Sequence, residues 1–76
     1  MYRIGELATR CNVTADTIRF YEKSGLLSPA QRSDAGYRLY SVEDESKVNF
    51  IRRAKQVGFT LQEVGDLLSI RVDKQH

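Results

Sequence analysis

The sequence has no tryptophan, and cysteine, histidine, proline and methionine occur once each. A single cysteine, Cys11, excludes an internal disulfide framework. Together with His76 it falls short of the four ligands of a structural zinc site. Cys11 therefore reads as a small apolar filler in a turn between helices rather than as a reactive thiol. No apolar run approaches the ~20 residues that span a bilayer, so no membrane association is expected. The opening segment, MYRIGELATR, is too polar and too acidic for a secretory signal, which points to the cytoplasm. The five glycines stand singly and form no phosphate-binding loop. There is no G-x-S-x-G, no H-E-x-x-H and no Cys–His pair, and the carboxylates fall at helix caps or on solvated faces. No enzyme is expected, and no cofactor is expected in this chain.

What is present suits one small domain. The 76 residues are 41% hydrophobic, enough for a core, although a chain of this size buries only about 60% of its unfolded surface. A net charge of +2 says little about partners. Its placement says more. Residues 1–40 carry Arg3, Arg10, Arg19, Lys23, Arg32 and Arg38 against Glu6, Asp16, Glu22 and Asp34, whereas the remainder balances. In that second half Glu43, Asp44 and Glu45 precede Arg52, Arg53 and Lys55. Acid first and base last complements a helix dipole. The same basic end also suits a phosphate contact.

The local signals predict four helices and a hairpin, a mainly α fold of the winged helix-turn-helix kind. Ile4, Leu7 and Ala8 share a helical face over residues 4–9, with no evident cap. Asn12 and Val13 make the turn. Thr14 caps a second helix, with Asp16 in its first turn and Val13 and Ile18 as a hydrophobic staple. Ile18 and Tyr21 point inward, Ala15, Asp16 and Arg19 are candidates for the outward face, and Gly25 stops the helix. Residues 30–32 pair with the strand-like 37–40 across the turn composition of Ser33, Asp34, Ala35 and Gly36. Ser41 and Asp44 form a capping box, followed by an apolar stripe of Val48, Ile51, Ala54 and Val57. Gly58 ends that helix. Thr60 and Glu63 form a second capping box, with Phe59 and Val64 as staple and Leu61, Val64, Leu67 and Leu68 as the buried face. The helix-turn-helix spans about 4–23, the wing about 30–40, and the later helices about 41–57 and 60–70.

A short turn before a capped second helix frees that helix's N-terminal residues, Thr14, Ala15, Asp16, Thr17 and Arg19, for a DNA major groove. Arg19 is long enough for a guanine edge or a phosphate, but a solvated helix arginine has the same pattern. Tyr21 can offer its hydroxyl to a phosphate, or can simply fill the core. Arg32, Tyr37, Arg38 and Tyr40 crowd one hairpin, either to meet a partner or to cover the core with their stems. A winged-helix module that binds protein is the alternative function, but it needs surplus exposed apolar residues, and the sequence offers few.

IGELA at 4–8, TIRFYE at 17–22, GLL at 25–27, Arg32 with GYRLY at 36–40, FIR at 50–52 and GF at 58–59 resemble, in that order and spacing, the DNA-binding domain of the MerR family of bacterial transcription regulators. Residues 67–73, LLSIRVD, resemble its zinc-responsive branch. The resemblance implies that residues 14–23 form the recognition helix, with Arg19 and Tyr21 meeting DNA. It implies that Arg32, Tyr37 and Arg38 grip backbone from the wing and that Lys55 approaches phosphate. It further implies a homodimer on double-stranded promoter DNA, which activates RNA polymerase indirectly by bending and untwisting the DNA. In such regulators a metal or other effector binds C-terminal to residue 76, and residues 71–76 read as the start of a linker to a dimerisation helix. Phe20 stands where tyrosine is frequent in the family.

Overall fold

The computed structural model describes residues 1–28 and 31–73, the last three for backbone alone. Caps set most of the turns of the chain. Helix α1 (Ile4–Cys11) has no side-chain cap at Arg3 and ends at Asn12, whose left-handed backbone (φ 57) lets Asn12 and Val13 donate to the Thr9 and Ala8 carbonyls. Asparagine is among the few residues that adopt this conformation readily. Helix α2 (Ala15–Lys23) starts where the Thr14 hydroxyl accepts the Thr17 N–H at 3.1 Å. It stops at Gly25 (φ 82), where Leu26 donates to Tyr21 and Gly25 to Glu22, the paired bonds of a Schellman ending.

The wing is a two-stranded antiparallel hairpin, β1 (Gln31–Arg32) and β2 (Arg38–Leu39), with Arg32 opposite Arg38. The predicted pairing of Ala30 lies outside the described residues. Between the strands Gly36 donates to the Ser33 carbonyl, and the Ser33 hydroxyl accepts from Tyr37. Tyr2 and Tyr40 exchange two backbone bonds of 2.7 Å, so the N-terminal segment is bridged to the base of the wing.

Helix α3 (Val42–Gln56) opens on the expected capping box: Ser41 N–H donates to Asp44 at 2.8 Å, and Asp44 N–H to the Ser41 hydroxyl at 3.2 Å. Thr60 and Glu63 repeat the device before α4 (Leu61–Asp73). Helix α1 packs on α2 and α3, and α3 packs on α4. Leu7, Ile18, Tyr40, Val48, Ile51 and Val64 lie at the centre of one apolar core, all essentially inaccessible. Cys11 is the last residue of α1 rather than part of a turn, and it is buried in that core as an apolar filler.

Two core assignments change. Val57 is exposed because repeats of three residues slip about 60° per step around a helix, so the stripe that begins at Val48 has left the core by Val57. Leu67 is also exposed: Leu61, Val64 and Leu68 cluster about one direction, and Leu67 sits at the edge of that arc. The helix runs to Asp73, and residues 74–76 lie outside the described residues. Among the described residues no helix is long and apolar enough to cross a membrane.

Candidate nucleic-acid interface

Burial of Ile18 and Tyr21 fixes the rotation of α2. The opposite side carries Asp16, Arg19, Phe20 and Lys23, all exposed. Arg19 Nη1 donates to Asp16 Oδ1 at 2.8 Å across one turn, in a pair open to solvent. Thr14 is exposed, and Ala15 and Thr17 are half-buried at the helix start. The Thr14 hydroxyl is committed to the cap and also meets the Thr17 hydroxyl at 2.9 Å. Tyr21 turns its ring into the core, and burial raises the pKa of its phenol. Phe20 and Lys23 lie in the 14–23 helix expected from sequence but not among its expected DNA contacts. Their i+4 and i+7 spacing from Asp16 was the available signal.

Glu22 lies on the flank of α2 that faces the wing. Its carboxylate oxygen Oε1 accepts from Arg38 Nη1 at 3.2 Å and from the Tyr40 hydroxyl. Only 13% of the Glu22 side chain is exposed. The carboxylate thus ties α2 to the wing across 16 and 18 residues of sequence. Tyr40, expected to contact DNA, is a correction. At 1% exposure it is a core residue, and its hydroxyl is spent on Glu22. Burial, reinforced by that hydrogen bond, pushes its phenol up to about 12. Arg19, Glu22, Lys23 and Arg38 line one open groove of about 390 Å³.

At the wing tip Arg32 is exposed, and its Nη1 donates to the Gly36 carbonyl at 3.0 Å. Tyr37 is half-exposed. The Arg3 guanidinium, which sequence reasoning did not select, sits 3.8 Å from the centre of its ring, a cation–π contact. Arg3, Tyr37 and Arg38 share a second groove with the first turn of α1. Lys55 is exposed in the last turn of α3 and lines neither groove. Arg10 has a structural task instead. It bonds Glu45 at 3.0 Å and covers the Tyr2 ring, pinning α1 to α3. Among the described residues no group of three His, Cys, Asp or Glu side chains can hold a metal ion.

A capped helix laid outward beside a basic hairpin defines a winged helix-turn-helix DNA-binding domain. Residues 2–70 match the model of the MerR HTH family of regulatory proteins, and the chain belongs to that family. It is 50% identical over 76 residues to the HTH-type transcriptional regulator ZntR of Escherichia coli K12, covering all of this chain and 54% of that protein. The chain spans about half the length of the curated relatives it matches. Among solved structures, PbrR691 from Ralstonia metallidurans CH34 in complex with lead(II) superposes with a TM-score of 0.91 at 38% identity, over 100% of this chain and 59% of that one. HiNmlR, a MerR family regulator lacking the sensor domain and bound to promoter DNA, superposes with a TM-score of 0.86 at 25% identity, over 93% of this chain and 54% of that one.

Proposed function

We propose that this chain sets the N-terminal half of α2 in the major groove of a promoter and grips the adjacent backbone with Arg32, Tyr37 and Arg38. The observation that carries this reading is the Glu22 tether. It holds Arg38 of the wing beside Arg19 and Lys23 of α2, so that three cations from two elements line one groove. A polyanion is the partner that such a grouping suits. A relative bound to promoter DNA supports DNA as the partner. As part of a longer regulator, the domain acts as a homodimer on half-sites one helical turn apart, about 34–36 Å. It controls polymerase indirectly by distorting promoter DNA. The response is to a metal or a stress signal, sensed outside this chain, as the metal-bound relative suggests. A cytoplasmic location and the absence of catalysis accompany that reading.

The test is Arg19→Ala against Arg38→Ala. Arg19→Ala is expected to weaken operator binding selectively, by about 1–3 kcal/mol. Arg38→Ala is expected to weaken all DNA alike and to reduce the salt slope by about one. An equal loss on operator and random duplex for Arg19→Ala removes its base-reading role. An unchanged salt slope for Arg38→Ala removes its phosphate role.

A further inference from the structure

Phe20 is the one aromatic residue on the outward face of α2, and 49% of it is exposed. Its ring tilts at 51° to that of the buried Tyr21, with centroids 6.2 Å apart, and about half of the side chain stands in solvent. Its neighbours on the same face are Arg19 and Lys23, together with Asp16, which is engaged by Arg19. The other large exposed apolar side chains, apart from those near the N-terminus and on the wing, belong to α3, α4 and the turn between them.

An exposed phenylalanine gains nothing from water, and a polar residue would serve a solvated face better. An apolar protein partner fits poorly too, because it would have to desolvate Arg19 and Lys23 on either side. What suits the site is an apolar group embedded in a polyanion. In the major groove that group is the C5 methyl of thymine, the one apolar feature displayed on the base edges. Asp16, Arg19, Phe20 and Lys23 lie on one side of the helix. A helix docked by this side brings Phe20 to the base edges while the two cations face guanine or phosphate.

We propose that Phe20 is a specificity-determining residue that reads a thymine through its methyl group. The inference rests on the reading of α2 as the groove helix. It gives the operator a feature that the arginines cannot supply, a thymine preference independent of hydrogen bonding.

The test begins by selecting preferred duplexes from a pool with a randomised centre, using the wild-type chain at low salt. The winning duplex is resynthesised with each thymidine in turn replaced by deoxyuridine, which keeps the base pair and removes the methyl. Fluorescence anisotropy then measures binding of wild type, Phe20→Ala and Phe20→Leu. Circular dichroism confirms that the variants are folded, as the exposure of the side chain leads one to expect. At one thymine in the site, deoxyuridine should weaken the wild type about fourfold, the worth of one buried methyl. Phe20→Ala should bind both duplexes equally, and Phe20→Leu should keep part of the difference. If no thymine is sensitive, or if Phe20→Ala keeps the full fourfold difference, the inference is wrong. If a sequence is selected and depends on Arg19 but no thymine is sensitive, only Phe20 loses its role. If the wild type selects no sequence, the groove reading of α2 falls and the Phe20 inference with it.

Discussion

The end built by α3 and α4 and the side built by α2 and the wing are held by different forces. At the first end Val48, Ile51, Ala54, Val64 and Leu68 are buried, and each helix starts on a capping box whose partners lie three residues apart. At the second, two-residue strands carry Arg32 and Arg38 beside Tyr37 and Tyr40, and the Glu22 carboxylate joins Arg38 and Tyr40 to the helix. Apolar burial tolerates small rearrangements, whereas a half-buried carboxylate with two donors fixes a direction. The first end therefore supplies stability, and the second supplies the angle at which cations are presented.

The largest effect should come from the apolar end. Ile51 is fully buried, and Ile51→Ala is expected to cost about 2–5 kcal/mol of unfolding free energy. Below its lowered unfolding midpoint this variant should still discriminate operator from random duplex as the wild type does. Loss of discrimination in the folded variant would mean that the two regions are not separable. Glu22→Ala should cost about 1–3 kcal/mol, because it strands the buried Tyr40 hydroxyl. Amide exchange at Arg38 and Leu39 should rise while exchange in α3 holds. Equal protection in both places, or an unchanged urea midpoint, would show that Glu22 is not the tether.

The same contrast explains what could be read from sequence. Thr14, Ser41 with Asp44, Thr60 with Glu63, and Gly25 act on neighbours within a few residues, so their composition and spacing suffice. The stripes of α1 and α3 follow from helical period. By contrast, the Glu22–Arg38–Tyr40 cluster, the Arg3–Tyr37 stacking and the bridge of Tyr2 to Tyr40 join residues far apart in the chain. No local pattern announces them. The motif that Tyr40 shares with Arg38 suggests an interface residue. Strand alternation already put the two on one face, and that face turns out to meet Glu22. The exposed half of Phe20 was hidden by its place between Arg19 and Tyr21, where only a rotation fixed by Ile18 and Tyr21 shows which way it points.

An effect of similar size concerns pH. Burial, then the hydrogen bond to Glu22, raises the Tyr40 phenol from 10.0 to about 12. The folded state thus holds this proton more tightly than the unfolded chain does. Its contribution is whole below pH 10 and is lost as pH rises through 12. The full loss is about 3 kcal/mol, to order of magnitude. Urea unfolding at rising alkaline pH should show this decline in the wild type and a shallower one in Tyr40→Phe. Parallel declines would assign the effect to other groups. In Glu22→Ala part of the decline should survive, because burial is the larger cause.

The smallest change in stability should accompany a change in binding, and it lies at Asp16. The pair with Arg19 is open to water, with side-chain exposures of 52% for Arg19 and 92% for Asp16. Such a pair is worth about 0.2–1 kcal/mol, and Asp16 adds a modest helix-start benefit. Asp16→Asn keeps a polar group of the same shape, so the urea midpoint should hardly move. Binding is another matter: on the docking proposed for α2, the Asp16 carboxylate repels phosphate and occupies the guanidinium that would reach DNA. Releasing Arg19 should tighten binding to all duplexes about fivefold, the equivalent of roughly 1 kcal/mol. The opposite sign is equally informative. A carboxylate can accept a hydrogen bond from cytosine N4, and Asp16→Asn would then weaken the selected operator while leaving random DNA unaffected or bound more tightly. In that case Asp16 takes part in reading the sequence instead of restraining Arg19. The two outcomes separate cleanly because the first acts on every duplex and the second on only one.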